Sequence, residues 1–291
     1  MRQFLFIFSA MLLGIIFYQG YQWTWIVRYA VMGMLFLAFI QIDFNWKVLH
    51  QKHLLVTLAN IILPIGIFFL LKNWNYEVAL ACFVITLAPT AAGAPIMASF
   101  LKTKVEFVTA SVLITTPLIA IILPLLLPQI AQVEGEMNVL NVLRPTFILV
   151  FGPLILSQLI KRFGQPLLPF FYSINWLSFY LFIFNIYIAA GKASYFIRFE
   201  SGAAWTTLIF TGLAIGSCCL LMFKCGELLI GRTNLRWESG IALGRKNTMF
   251  SLWVALSFLS PMVALGPIFY ILFQNLYNGW QFMQLNKKPE S

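Results

Sequence analysis

Two cations and an amide interrupt an apolar run near the end of the chain. In "ESGIALGRKNTMFSLWVAL", residues 238–256, Arg245, Lys246 and Asn247 stand between Gly244 and a second apolar stretch. A cation at the centre of a membrane helix costs roughly 2.5–3.5 kcal/mol on an insertion scale, so it faces a wet cavity or a protein partner rather than lipid. In such a cavity the chemistry open to it is the binding of an anion. The alternative is that one or both side chains snorkel to an interface or pair with a backbone carbonyl. Lys246 lies about 13 Å along a helix that starts near Trp237, at ~1.5 Å per residue, which is long for snorkelling.

A second stretch has a matching property. "LAPTAAGAPIMASFL", residues 87–101, puts Pro89, Gly93 and Pro95 within seven residues. Proline removes a backbone donor and clashes with the preceding turn, and glycine weakens helix, so both stretches are expected to be broken helices. A broken helix in lipid is tolerated only where it is buried or lines a cavity. The candidate binding residues are therefore Pro89, Thr90, Arg245, Lys246 and Asn247, with free amides at the half-helix N-termini beside them. Asn275, next to Gln274 in "YILFQNLYNGW", either pairs between helices or joins the same cavity. Glu238 is the one acid near the cations and reads as a helix-start carboxylate or an ion ligand. Thr109, Ser111, Thr115 and Thr116 lie along another apolar run, where hydroxyls usually bond back to their own helix. No serine–histidine–acid set, phosphate-binding loop, metal-ligand cluster or dinucleotide fingerprint is present, so catalysis is not expected. His50 and His53 fall in a basic connection and read as solvated. Cys82, Cys218, Cys219 and Cys225 lack paired spacing and read as small apolar residues.

The elements that must carry these residues follow from composition. Of 291 residues, 61% are hydrophobic and 10% charged, and the mean hydropathy is +0.87. Soluble domains are about 45–50% apolar and about 25% charged. The expectation is an all-α polytopic membrane protein. Its partners are then the bilayer and a small anion, and the net charge of +10 needs no nucleic acid to explain it.

Reading apolar runs of about 20 residues between polar breaks predicts ten spans: 4–18, 22–43, 53–71, 77–101, 105–127, 139–160, 166–190, 202–223, 237–258 and 260–283. The first lacks a small-residue cleavage pattern and is read as a span rather than a signal peptide. "EGEMN" and "KCGELLIGRTNLR" are read as loops, so the chain forms one transmembrane domain. With the N-terminus inside, twelve basic residues fall on inner segments (Arg2, Lys47, Lys52, Lys102, Lys104, Lys161, Arg162, Lys224, Arg232, Arg236, Lys287, Lys288). Five fall on outer ends (Arg28, Lys72, Arg144, Lys192, Arg198), and Arg245 and Lys246 complete the 19. That bias predicts two cytoplasmic termini in a plasma membrane, the expected one being a bacterial inner membrane.

Ten spans divide into two fives, and an odd number makes homologous halves insert in opposite orientation. The division predicts an inverted repeat, about 1–130 and 138–285, with the broken fourth and ninth spans in matching positions. Interrupted spans so placed point to a transporter's binding site.

On these residues the chain resembles the bile acid:sodium symporter family, within the wider bile/arsenite/riboflavin transporter group. The family's ninth span reads E-x-G-x-Q-N, which falls on Ala242, Leu243, Gly244, Arg245, Lys246 and Asn247, matching at the glycine and the asparagine. Its fourth span has a proline, small residues and a Ser-Asn pair; here Pro89 and the small run remain, and Ala94 and Pro95 stand where the pair would be. Its last span carries an asparagine, placed here on Asn275. The resemblance implies ten spans in inverted halves, crossed fourth and ninth helices, and alternating-access transport of an organic anion.

In the family, the glutamate, the glutamine, the Ser-Asn pair and hydroxyls of the fifth span hold two sodium ions. Here the ion-site positions are Ala242, Lys246, Ala94, Pro95, Thr109 and, in another register that uses Glu238 and Gly240, the Glu238 carboxylate. A hard cation needs several oxygens, and alanine or proline side chains supply none. Lys246 would then stand in for a coupling ion, leaving transport independent of sodium, with no cofactor implied. Coupling to sodium through backbone carbonyls, or to protons, is the runner-up, and a channel or non-transporting sensor is the reading from outside transport.

Overall fold

The computed structural model describes residues 2–42, 49, 51–131, 138–200, 205–230 and 235–286. His50, the "EGEMN" connection up to Met137, Lys47, Arg232, Lys287 and Lys288 lie outside them. The described residues form helices and turns without a strand. The helices are α1 (Arg2–Ile16), α2 (Ile26–Gln41), α3 (Gln51–Leu71), α4 (Tyr76–Leu87), α5 (Ala94–Phe100), α6 (Val105–Ile130), α7 (Val139–Phe163), α8 (Leu168–Ser173), α9 (Leu177–Tyr195), α10 (Trp205–Leu229), α11 (Arg236–Gly244), α12 (Thr248–Phe258) and α13 (Leu265–Asn286).

Five helical stretches are long and apolar enough to cross a membrane: Gln51–Leu71, Val105–Ile130, Val139–Phe163, Leu177–Phe199 and Thr206–Leu229. Their outward faces carry side chains such as Leu70, Phe163 and Leu228, each more than 70% exposed, which suits lipid rather than water. This is the character of a multi-pass membrane protein. The 22-residue α13 is not among the five, because Gln274, Asn275, Asn278 and Gln281 interrupt its apolar sequence.

The chain forms two compact units. The first draws on Met1–Asp43, Ala120–Leu208 and Met249–Ile268. In it α1 packs along α9, and α2 lies against α7 and α9. Close approach is possible because Gly14 faces the backbone of Tyr187, where a Cβ would come within 2.5 Å of the carbonyl oxygen. Tyr187 donates to Phe17 O at 3.1 Å, and Ser194 Oγ to Ile15 O at 3.0 Å. The predicted seventh span, 166–190, is divided instead: α8 ends at Ser173 and α9 starts at Leu177, with a turn at residues 174–176.

The second unit draws on Phe44–Ile119, Ile209–Thr248 and Phe269–Ser291, and holds both predicted breaks. α4 is apolar on all sides, and every residue from Val78 to Leu87 is buried, as a helix without a polar face requires. Asn75 caps it by accepting from Val78 N at 3.0 Å. It stops because Pro89 excludes the helical conformation for the residue before it: Ala88 sits at φ −47°, ψ 145°. α5 restarts the helix after Gly93, with Pro95 in its first turn. α11 is buried from Glu238 to Gly244 and packs on α10 through glycines. A Cβ on Gly226 would lie 2.5 Å from Ser239 O, and one on Gly244 would lie 2.3 Å from the Phe223 ring.

Candidate functional site

The two broken helices meet in one short antiparallel bridge, centred on Thr90 and Lys246. Ala91 N donates to Arg245 O and Asn247 N donates to Pro89 O, both at 2.8 Å. Each interruption thus supplies one donor and one acceptor to the other. The amides of the two central residues then turn to side-chain oxygens from the next long helix. Thr90 N donates to Thr115 Oγ1 of α6 at 3.0 Å, and Lys246 N donates to Gln274 Oε1 of α13 at 3.2 Å.

The carbonyls freed where α4 and α11 end are met in the same way. Asn60 Nδ2, from α3, donates to Leu87 O and Ala88 O at 3.3 and 3.5 Å. Thr90 Oγ1 donates to Ala242 O and Tyr270 OH to Gly244 O, each at 2.7 Å. Backbone groups without a helical partner are costly when buried, and here residues far apart in sequence satisfy them. The amides of Thr90, Ala91, Lys246 and Asn247 are all engaged within the bridge, and the two cationic side chains stand beside it.

Those side chains lie in different surroundings, Arg245 being half-buried. Lys246 is fully buried, and its Nζ donates to Asn60 Oδ1. Arg245 has Nε and Nη1 buried with no hydrogen-bond partner. Among the described residues neither cation pairs with a carboxylate. Two positive groups with their donors only partly used make a site whose complement is an anion with several acceptor oxygens.

Of the residues predicted for the site, the crossing gathers Pro89, Thr90, Ala242, Arg245, Lys246 and Asn247. Asn275 is not part of it: its Nδ2 donates to Ile271 O of its own helix at 2.8 Å, and its neighbour Gln274 faces the bridge. Ala94 and Pro95 belong to the first turn of α5, beyond the bridge. Thr109 Oγ1 bonds back to Val105 O at 2.9 Å. Glu238, 3% exposed, is in the first turn of α11, and its Oε1 accepts from Lys104 N at 2.9 Å, tying the turn before α6 to α11.

These positions do not fit a sodium ion at the crossing. Asn60 Oδ1, Gln274 Oε1, Thr115 Oγ1 and the Ala242 carbonyl already accept hydrogen bonds, and an ammonium lies among them.

Sequence reasoning missed two groups. Asn60 is an amide alone in an apolar run, and that isolation was the signal. Glu227 lies in the stretch read as a loop, but α10 continues through it and its side chain is fully buried. It accepts from Tyr277 OH at 2.7 Å, Lys224 Nζ at 3.3 Å, and Arg236 Nη2 and Gln281 Nε2 at 3.4 Å. The spacing of Lys224 and Glu227, three apart on one helix face, was its sequence signature. His53 is also corrected: it is buried at the start of α3, stacked on Phe107 at 4.1 Å, rather than solvated. The four cysteines are free. No family model matches this chain, and no curated protein matches it.

Proposed function

We propose that the protein is a secondary carrier for an organic anion, working by alternating access around the crossing of its two broken helices without a sodium requirement. The observation that carries this reading is the pair of cations, half-buried Arg245 and fully buried Lys246, at a helix interruption with no carboxylate partner among the described residues. A fixed structural charge would be expected to have its counter-ion built in. A charge left open to a visiting ligand would not.

The reading includes ten spans in two inverted repeats of the bile acid:sodium symporter type, with both termini cytoplasmic in a plasma membrane. The reciprocal bridge supports the repeat. So does the parallel use of Thr115 and Gln274, each drawn from the helix that follows a break and each accepting the central residue's amide. Lys246 then stands where a coupling ion would otherwise bring its positive charge.

The test is counterflow in proteoliposomes, using labelled carboxylates that range from keto acids to steroid acids. The expected result is saturable uptake of at least one probe, accelerated by unlabelled probe inside and equal in sodium and potassium buffers. Flux without saturation or counterflow would indicate a channel. Binding without flux would indicate a sensor, and uptake abolished by removing sodium would overturn the role given to Lys246.

A further inference from the structure

The first unit holds a cation that the crossing does not use. Arg28 stands in the first turn of α2, and its Nε is buried with no hydrogen-bond partner. No carboxylate pairs with it among the described residues. A guanidinium presents five N–H donors and no acceptor, so a buried, unpartnered Nε marks a place where an acceptor belongs.

Arg28 lines a cavity of about 260 Å³ together with Thr24, Trp25, Tyr29, Trp253 and Ser257. The other wall residues divide by chemistry. Trp253, 4% exposed, forms an apolar side, while Trp25 and Tyr29, 65% and 60% exposed, meet edge to face at 6.3 Å. Thr24 spends its hydroxyl proton on Tyr21 O at 2.5 Å, and Ser257 is exposed with a hydroxyl to donate. The positive end of the α2 dipole lies beside them. The combination of one cation, a hydroxyl donor and three aromatic faces fits a charged head on an apolar body. The volume is below the roughly 300 Å³ at which pockets for drug-sized ligands begin, so the bound part is a head group or a single small ring system.

We propose that Arg28, with Trp25, Tyr29 and Trp253, forms a binding site for a compact oxyanion, phosphate or carboxylate, carried on an apolar body. The site shares no residue with the crossing and does not depend on the carrier reading. The chemistry has two sources, the phosphate of a membrane phospholipid and a soluble aromatic acid.

The test uses the purified full-length protein in dodecyl maltoside with two probes, dihexanoylphosphatidylglycerol and 2-naphthoate. Binding is read by native mass spectrometry and by the shift in melting temperature. The expected result is saturable binding of at least one probe, weakened at least tenfold by Arg28→Gln; naphthoate bound through Lys246 at the crossing is removed from the comparison by repeating it in the Lys246→Ala background. Lipid binding alone assigns a head-group site, and naphthoate binding alone assigns a soluble ligand. Absence of saturable binding by either probe overturns the proposal, as does equal binding by Arg28→Gln. If Arg28→Gln does not fold, Ser257→Trp fills the cavity while keeping the cation. The same tenfold loss is expected there, and undiminished binding overturns the site.

Discussion

The ammonium of Lys246 has its acceptor on a residue 186 positions away, the side-chain oxygen Oδ1 of Asn60, and Asn60 is also the donor that closes the end of α4. A neutral amide holds the lysine in place without cancelling its charge. Asn60→Asp is nearly isosteric and puts a carboxylate against the ammonium. It should lower the melting temperature, because the Leu87 and Ala88 carbonyls lose their donor, and abolish anion uptake; retained uptake would show that the charge of Lys246 is not used. If Lys246 replaces a coupling ion, sodium chloride and potassium chloride at equal ionic strength should give the same melting temperature. A sodium site would add about 2.7 kcal/mol at a hundred times its dissociation constant, so a sodium-specific rise would show that an ion site survives. At this scale the sequence displayed the two cations, because a charge in an apolar run is conspicuous. It hid their surroundings, because Asn60, Gln274 and Tyr270 reach the crossing from helices far along the chain.

Broken helices need neighbours that hold both halves, and in the second unit α10 does this for α11 through contacts that only glycine permits. Gly226 and Gly244 have no room for a methyl group, since Ser239 O and the Phe223 ring stand within 2.5 Å of where it would be. Gly226→Ala should cost about 1–3 kcal/mol through overpacking, read as a lower melting temperature in detergent. Gly279 of α13 has open space around it, and Gly279→Ala should raise stability by about 0.5–1 kcal/mol, since glycine is a poor interior helix residue. Equal effects at the two positions would remove the packing argument. The break after α4 was legible because Pro89 constrains Ala88 by local sterics. The true end of α10 was not, because Lys224, Glu227 and Arg236 look like a hydrophilic loop until folding pairs them and buries the acid.

Over the whole molecule, apolar composition made the all-helical membrane character legible: five helical stretches are long and apolar enough to cross a membrane, and the predicted seventh span is divided. What the sequence did not display is how the second unit is anchored at two places, the bridge and the buried Glu227. Glu227→Ala removes the common acceptor of Tyr277 and Gln281 while leaving Lys224 and Arg236 partly in contact with solvent. The cost should be about 1–3 kcal/mol from the stranded buried donors, measured by thermal unfolding, and no loss of stability would mark the cluster as dispensable. Both anchors are served by one helix. Tyr270 and Gln274 of α13 engage the crossing, and Tyr277 and Gln281 engage Glu227, at spacings that keep all four on one face. α13 is therefore cut like a key with two sets of teeth, about 16 Å from first to last at ~1.5 Å per residue. One alanine inserted after Asn275 would turn the second set about 100° away from its lock at 3.6 residues per turn, leaving the composition almost unchanged and only one of the two locks engaged.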